Sequence, residues 1–196
     1  MSIPRLILAS ISPRRREILS YFSVPFEQVP PNFSEDEIPW EGDVPSHVMT
    51  LAQNKALSLA PKYPDAAIMA ADTVVYCDGE VYGKPKDDEH ARQMLTALSG
   101  RWHHVFTGIA VWYQDNIISD FEETKVLFND LTPAHIELYQ RQLHCTDKAG
   151  AYLIQQGGSI IVSSIQGCYY NVVGLPINTV RRLLKKVGID LWEYLC

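Results

Sequence analysis

The chain has 196 residues and a net charge of −6, with 46% hydrophobic and 20% charged residues. This composition excludes a disordered chain, and it argues against a general nucleic-acid binder because lysine and arginine dominate no long region. The length suits one substantial domain over residues 1–196, or one domain with two lobes around a cleft.

The first third of the chain predicts a strand, a helix, a loop and a second helix. The apolar run 6–9 is bounded by polar residues and is typical of a buried strand. A helix is predicted from Pro13 to about Phe22, with Ser12 as its N-cap. The segment 29–45 is rich in proline and acidic residues and is interpreted as a long surface loop. Residues 46–60 carry apolar side chains at helical spacing and predict the second helix.

Hairpins and helices alternate through the middle of the chain. Residues 66–85 predict a strand, an interruption and a strand, with a hairpin turn at Asp78–Gly79. A helix is predicted over 87–100, where a glycine ends it. Residues 102–128 predict two long strands joined at Asp115–Asn116.

The last third begins with a helix predicted over 132–142, with Thr132 as its N-cap. Residues 150–174 predict several short strands punctuated by glycines, and 175–188 predict an amphipathic terminal helix. Because helices and hairpins alternate, the predicted fold class is α/β, with a mixed twisted sheet and flanking helices.

The cysteines and the N-terminus indicate the cellular compartment. No two cysteines form a CxxC unit, which is typical of reduced thiols rather than of a disulfide framework or a zinc site. The cysteines are Cys77, Cys145, Cys168 and Cys196. The N-terminal apolar run precedes arginines, the reverse of the order in a signal peptide, and no apolar run is long enough to span a membrane. We therefore expect a cytoplasmic protein with no membrane partner.

Three arginines, Arg14 to Arg16, directly follow the predicted helix start at Pro13. A helix N-terminus carries about half a positive charge, and a cation there costs roughly 0.3–1 kcal/mol. Free amides at such an end bind anions, so a polyphosphate would turn the repulsion into attraction. The alternative is that the arginines point into solvent, and these residues alone do not decide between the two.

Two further charged residues interrupt apolar patterns. Lys55 lies four residues after Leu51 and four before Leu59, on the apolar stripe of its helix, where it either snorkels to the edge or meets a buried anion. Snorkelling is the more common explanation. Asp72 stands in an uncharged run, and a buried carboxylate is costly unless it is paired, protonated or metal-bound. The preceding strand would deliver Asp72 to a sheet edge, and we favour a catalytic role over a cap at the strand end.

A second basic segment and two histidines carry weaker signals. The sequence GKPK at Gly83–Lys86 is not a P-loop, which needs GxxxxGK followed by Ser or Thr, and a solvated basic turn explains it by itself. Adjacent His103 and His104 would face opposite sides of a strand, which argues against a shared metal. The sequence contains neither GxSxG nor HExxH, which argues against the commonest serine hydrolases and zinc proteases.

Six blocks occur in a fixed order along the chain. They read LILASISPRRREIL, ADTVV, GKP, MLxxLSGxxHxVxTG, DKAGAYLIQ and VVGLP. Together they resemble the Maf family of nucleotide pyrophosphatases, from Leu6 to about Leu184. The resemblance implies a two-lobed mixed α/β fold similar to the inosine triphosphate pyrophosphatases. It also implies a homodimer that hydrolyses nucleoside triphosphates to monophosphate and pyrophosphate with a divalent cation, Mg²⁺ or Mn²⁺, and so cleans the nucleotide pool.

The resemblance also indicates a subclass. One subclass acts on dTTP and UTP, and another prefers N7-methyl-GTP and tends to have tryptophan in place of Arg14 and SDQ in place of ADT. Arg14, Thr73 and Gln155 match the specificity positions of the dTTP/UTP subclass. Leu153 departs from the pattern because glycine is usual there, and its side chain would narrow the base pocket. The preferred pyrimidine therefore stays open.

The resemblance assigns roles to the unusual residues. The predicted phosphate ligands are Ser10, Arg14, Arg15, Lys55, Lys84 and Lys86. Asp72 is the predicted catalytic base, which accepts the water proton directly or while it holds the metal, and Glu35 is the second metal ligand. The Gln155 amide would accept from the ring N–H of uracil or thymine and donate to a ring carbonyl, with Thr73 on the pocket wall.

A nucleotide-binding regulator of cell division, with incidental turnover, is the alternative from a different class. Turnover of dTTP with metal would separate the two, since a regulator would bind the nucleotide and hydrolyse it very slowly. A nucleic-acid-binding module is the third alternative, and the acidic balance of the chain counts against it. The predicted partner is therefore a nucleoside triphosphate and not a nucleic acid.

Overall fold

A computed structural model describes residues 3–35 and 38–196 of the chain. Two acidic residues of the predicted loop over 29–45, Asp36 and Glu37, lie outside the described residues. The strands are β1 (Leu6–Ala9), β2 (Phe26–Val29), β3 (Ala67–Cys77), β4 (Glu80–Tyr82), β5 (Trp102–Tyr113), β6 (Asn116–Phe128) and β7 (Val162–Gln166). The α-helices are α1 (Pro13–Leu19), α2 (Val44–Leu57), α3 (Asp88–Leu98), α4 (Pro133–Leu143), α5 (Tyr169–Val173) and α6 (Ile177–Lys186).

Within the described residues, the strands form one seven-stranded sheet. Its order is β2-β1-β3-β5-β6-β7, and β4 pairs with β3. Strand β1 is parallel to both β2 and β3, whereas β4 is antiparallel to β3 and β7 is antiparallel to β6. The predicted α/β class with a mixed sheet and flanking helices is confirmed. Among the residues that the structure describes, no helix is both long enough and apolar enough to cross a membrane.

The chain divides into two compact units. The first comprises Met1–Asp72, Thr107–Glu122 and Gly174–Cys196, and the second comprises Thr73–Phe106 and Glu123–Val173. Two compact units are what the predicted two-lobed fold requires. That one domain covers residues 1–196 stays a prediction.

The core of the first unit forms around β1. All four residues of this strand are buried, because parallel neighbours on both sides and packing on both faces suit a continuous apolar run. Helix α2 comes unusually close to the sheet at Gly108 of β5. A Cβ added to Gly108 would lie 2.4 Å from the backbone of Val48, so only glycine permits this approach.

The core of the second unit contains a buried aromatic cluster. The His103 side chain is fully buried, and its Nε2 lies 3.0 Å from the Tyr152 hydroxyl. Its ring packs edge-on against Phe128 at 4.6 Å between centroids. The next residue, His104, pairs with Glu123 instead, at 2.6 Å. The prediction that the two histidines face opposite sides of a strand is therefore confirmed.

Two elements near the N-terminus differ from the prediction: one strand was not predicted, and one helix begins earlier than predicted. Strand β2 begins in a segment for which no strand was predicted, because a run of four residues with two polar side chains shows no clear period until it pairs with β1. Helix α2 begins at Val44 rather than at Ser46, because the Asp43 carboxylate caps it by accepting from the Ser46 N–H at 3.2 Å.

The prediction of several short strands over 150–174 is also wrong. This region holds two 3₁₀ helices, Ala149–Ala151 and Gln156–Ile161, before β7 and α5. The backbone φ is +57° at Ala151 and +52° at Gln156, and this left-handed region is incompatible with a strand.

The two-residue turn between β5 and β6 shifts by one position from the predicted Asp115–Asn116. It consists of Gln114 and Asp115, and both have positive φ. Two consecutive positive φ values are typical of the tight hairpin turns that match strand twist.

Candidate active site

The first polar residues of the candidate site follow the end of a parallel strand pair. The pairing of β1 with β3 ends at Ala9 and Ala70. Ser10 comes directly after Ala9, and Asp72 lies two residues after Ala70 in β3. Both residues are buried. Open α/β sheets place ligands at the carboxyl ends of parallel strands, so the end of the β1–β3 pairing is a favourable place for a site.

The turn from β1 into α1 is built by serine hydroxyls. The Ser10 hydroxyl accepts from the Ser12 N–H at 3.1 Å, and the Ser12 hydroxyl accepts from the Arg15 N–H at 3.4 Å. Ser12 is therefore the N-cap of α1, as predicted, with Pro13 at its first position. This turn fixes where the arginine side chains leave the helix.

Arg15 turns back towards the protein instead of into solvent. Its Nε donates to the Gly174 carbonyl at 2.9 Å, and one terminal nitrogen donates to the Ala71 carbonyl at 2.8 Å. Burial lowers the pKa of the Arg15 guanidinium, and the carboxylates of Asp72 and Glu35 oppose that effect. The cation thus lies in the field of the two predicted acids. Its role as a phosphate ligand stays a prediction.

Lys55 reaches both predicted acids from helix α2. Its Nζ lies 2.5 Å from Asp72 Oδ1 and 2.8 Å from Glu35 Oε1. Lys55 is only 6% exposed and Asp72 only 4%, and burial of either charge alone would be very unfavourable. The more common explanation, that Lys55 snorkels to solvent, is therefore wrong, and the buried-anion alternative is correct.

Asp72 lies inside a strand and not at a sheet edge. Strand β3 continues past it to Cys77, and β3 lies between β1 and β5 in the sheet order. The prediction of a sheet-edge position is wrong because apolar residues on both sides of Asp72 extend the strand, and its far end pairs with β4. The alternative of an aspartate capping a strand end is excluded for the same reason.

The two carboxylates form a donor set that fits a divalent cation. Asp72 and Glu35 each place one oxygen within 2.8 Å of the same Lys55 nitrogen, so these oxygens converge on one point. Mg²⁺ and Mn²⁺ prefer such oxygen ligands, and Mg²⁺ commonly takes one or two carboxylates together with substrate phosphates. Among the described residues, no group of three or more histidine, cysteine or acidic side chains is arranged as a metal site. Phosphate oxygens and water would complete the coordination.

Arg14, in helix α1 of the first unit, is half-buried, and its roles in phosphate binding and specificity stay predictions. The other four predicted site residues belong to the second unit. They are Thr73, Lys84, Lys86 and Gln155. Both lysines are exposed, whereas Thr73 and Gln155 are half-buried. The Gly150 N–H donates to the Gly83 carbonyl at 3.0 Å, which joins the GKP segment to the AGAY segment. The roles of these four residues stay predictions.

Sequence reasoning missed the backbone partners of Arg15. Gly174, whose carbonyl accepts from Arg15, has a φ of +109°, a conformation that L side chains rarely adopt. The signal in the sequence was the VVGLP block, to which no chemistry had been assigned. The carbonyl of Ala71 carried no sequence signal, since a backbone acceptor is independent of residue type.

Comparison with known proteins places the chain among its relatives. The family model described as "Maf-like protein" matches residues 5–187. The protein named dTTP/UTP pyrophosphatase from Chlamydia caviae is 42% identical over 193 residues, covering 98% of each chain. Its namesake from Clostridium tetani is 43% identical, covering 94% of this chain and 98% of its own.

Among solved structures, the Staphylococcus aureus Ham1 protein aligns with 64% of this chain and 72% of its own, with 14% identity and a TM-score of 0.45. The family assignment follows from the sequence matches, which extend over nearly the whole chain. This chain belongs to the Maf family.

Proposed function

We propose that this chain is a nucleoside triphosphate pyrophosphatase that hydrolyses dTTP and UTP to the nucleoside monophosphate and pyrophosphate. The names of the curated relatives support this activity, since the similarity extends over nearly the whole chain. The observation that carries the proposal is the buried Asp72 carboxylate, 2.5 Å from Lys55 and beyond the end of β1. In open α/β sheets, ligands bind beyond the carboxyl ends of the parallel strands, and Asp72 follows the end of the β1–β3 pairing.

In the proposed reaction, Asp72 accepts a proton from the water that attacks the α-phosphorus. Lys55 Nζ contacts the Asp72 side chain at 2.5 Å, and a general base acts as the carboxylate, which is the form able to accept a proton. The bond from the α-phosphorus to the bridging oxygen breaks, and pyrophosphate leaves with that oxygen. Lys55 and Arg15 stabilise the negative charge that develops on the phosphates.

Maf-family pyrophosphatases generally use divalent metal ions. We propose that Asp72 and Glu35 hold Mg²⁺ or Mn²⁺ here, because their oxygens converge and are of the type these ions prefer. When bound, the ion neutralises charge on the triphosphate. Lys55 would then have to share these oxygens with the metal or turn towards the phosphates.

The proposal extends to the other predicted contacts. Ser10, Arg14, Lys84 and Lys86 would bind phosphate oxygens, and Arg14, Thr73 and Gln155 would select the base. These assignments are supported by the residue types and by the family pattern. A homodimer is part of the same proposal, and light scattering after gel filtration would measure its mass.

A nucleotide panel tests the function. Pyrophosphate release is measured from dTTP, UTP, CTP, ATP and N7-methyl-GTP with Mg²⁺, with Mn²⁺ and with EDTA. We expect dTTP and UTP to give the highest kcat/KM, and EDTA to abolish turnover. Nucleotide binding without turnover would favour the regulator, and a preference for N7-methyl-GTP would favour the other subclass; either result would overturn the proposal.

A further inference from the structure

The segment that carries Gln155 has an unusual backbone on both sides. Ala151 has a φ of +57° and Gln156 a φ of +52°, so two non-glycine residues in the left-handed region flank residues 152–155. Such conformations persist only where the surrounding structure holds them. The contacts that hold this segment therefore determine where the Gln155 side chain begins.

Tyr139 holds this segment from helix α4. Its hydroxyl donates to the Leu153 carbonyl at 3.1 Å and accepts from the Leu153 N–H at 3.2 Å. Tyr139 is 6% exposed, and burial raises the pKa of its hydroxyl, which keeps the proton needed for donation. One side chain thus satisfies both backbone groups of a residue two positions before Gln155.

Gly158 also contacts Leu153, the residue that Tyr139 binds. A Cβ added to Gly158 would lie 2.4 Å from both the carbonyl oxygen and Cδ1 of Leu153, so only glycine leaves room for this contact. The Gly158 N–H also donates to the Gln155 carbonyl at 3.0 Å. Leu153, which replaces the glycine usual in the family pattern, packs its side chain against the core of the second unit.

We infer that Tyr139 is a positioning residue for base selectivity, because it fixes the backbone from which Gln155 presents its amide. This inference rests on the proposed function, in which Gln155 reads the pyrimidine. A buried tyrosine that only fills the core would stabilise the fold without affecting the choice of nucleotide. A selectivity measurement therefore separates positioning from packing.

Tyr139→Phe removes the hydroxyl and keeps the ring. We expect the ratio of kcat/KM for dTTP to that for ATP to fall by about fivefold or more, since two hydrogen bonds to the backbone are lost. We also expect faster hydrogen exchange in a peptide that covers residues 152–155. Tyr152→Phe is the matched control, since Tyr152 is equally buried but its hydroxyl contacts His103. The control should lose stability and keep the wild-type ratio.

A second variant keeps the test decisive if Tyr139→Phe does not fold. Gly158→Ala pushes on Leu153 from the other direction and should lower the same ratio. An unchanged ratio, an equal change in the Tyr152→Phe control, or a uniform loss for all nucleotides would overturn the inference. Gln155→Ala is measured in parallel: if it lowers the ratio and Tyr139→Phe does not, only this inference fails. A wild-type chain that hydrolyses no nucleoside triphosphate would overturn the proposed function and this inference together.

Discussion

At the scale of single residues, the proposed chemistry depends most on Asp72. Asp72→Asn keeps the shape of the side chain and removes the proton acceptor, so we expect turnover to fall by ~10²–10⁴-fold. The fold should survive because Lys55 keeps Glu35 as a partner at 2.8 Å. Pyrophosphate release and circular dichroism measure the two effects. Asp65→Asn is the control, since Asp65 is exposed and stands seven residues earlier. Near wild-type turnover in Asp72→Asn would exclude Asp72 as the base.

Gln155 carries the second prediction at this scale. Gln155→Ala should lose two neutral hydrogen bonds to the pyrimidine, each worth ~0.5–1.5 kcal/mol. The expected fall in kcat/KM for dTTP and UTP is therefore roughly 5–150-fold, at 1.4 kcal/mol per tenfold. ATP should lose much less, because its larger purine would not bring its edge to the position at which the amide reads a pyrimidine. Steady-state kinetics with dTTP, UTP, CTP and ATP measure this, and an equal loss for all four would show that Gln155 does not read the base.

At the scale of elements, a buried ion pair connects helix α2 to strand β3. Lys55→Met leaves the Asp72 carboxylate buried without its ammonium, so we expect the free energy of unfolding to fall by about 3–5 kcal/mol. Adding Asp72→Asn should restore part of that loss, because the unpaired charge is then absent. Urea unfolding of the two single variants and the double variant gives the coupling energy.

Lys62→Met is the matched control for the ion pair. Lys62 is exposed and lies over the Tyr63 ring at 5.2 Å, a contact worth about 0.5–1 kcal/mol. Its loss should therefore cost much less than the loss of Lys55. If Lys55→Met is as stable as the wild type, the ion pair does not stabilise the contact between α2 and β3.

Strand β5 carries a pH-dependent contribution to stability. Burial of His103 lowers its pKa from 6.5 to about 4, so the unfolded chain binds more protons than the folded chain between these values. Stability should therefore fall as pH falls from 6.5 to 4, by about 3 kcal/mol in total. Urea unfolding at several pH values measures this against His103→Gln, which takes up no proton in that range. Parallel curves for the two proteins would contradict the prediction.

At the scale of the whole molecule, the prediction concerns which bond breaks. Attack of water at the α-phosphorus places the oxygen of that water on the nucleoside monophosphate. In ¹⁸O-labelled water, mass spectrometry should therefore find the label in dTMP and not in pyrophosphate. Label in pyrophosphate would mean attack at the β-phosphorus, and release of diphosphate and orthophosphate would mean cleavage at the γ-phosphorus. Either result would contradict the proposed mechanism.

Features that depend on neighbours along the chain were predictable. The buried strand β1 follows from a continuous apolar run, and the N-caps at Ser12 and Thr132 follow from local hydrogen bonding. Short elements without a clear period were not. Strand β2 depends on pairing with β1, and the left-handed residues near Gln155 depend on contacts from helix α4.

The sequence by itself determined the α/β class, the family and the candidate residues, because residue types and their order along the chain carry that information. Only the tertiary structure decided which of these residues meet. Lys55 lies 17 residues from Asp72 and 20 from Glu35 along the chain, and Arg15 lies 159 from its carbonyl partner at Gly174. Contacts over such separations arise from packing of helices on the sheet, and local periodicity cannot report them. For that reason Lys55, for which snorkelling to solvent is the more common explanation on an apolar stripe, is instead buried and contacts two carboxylates.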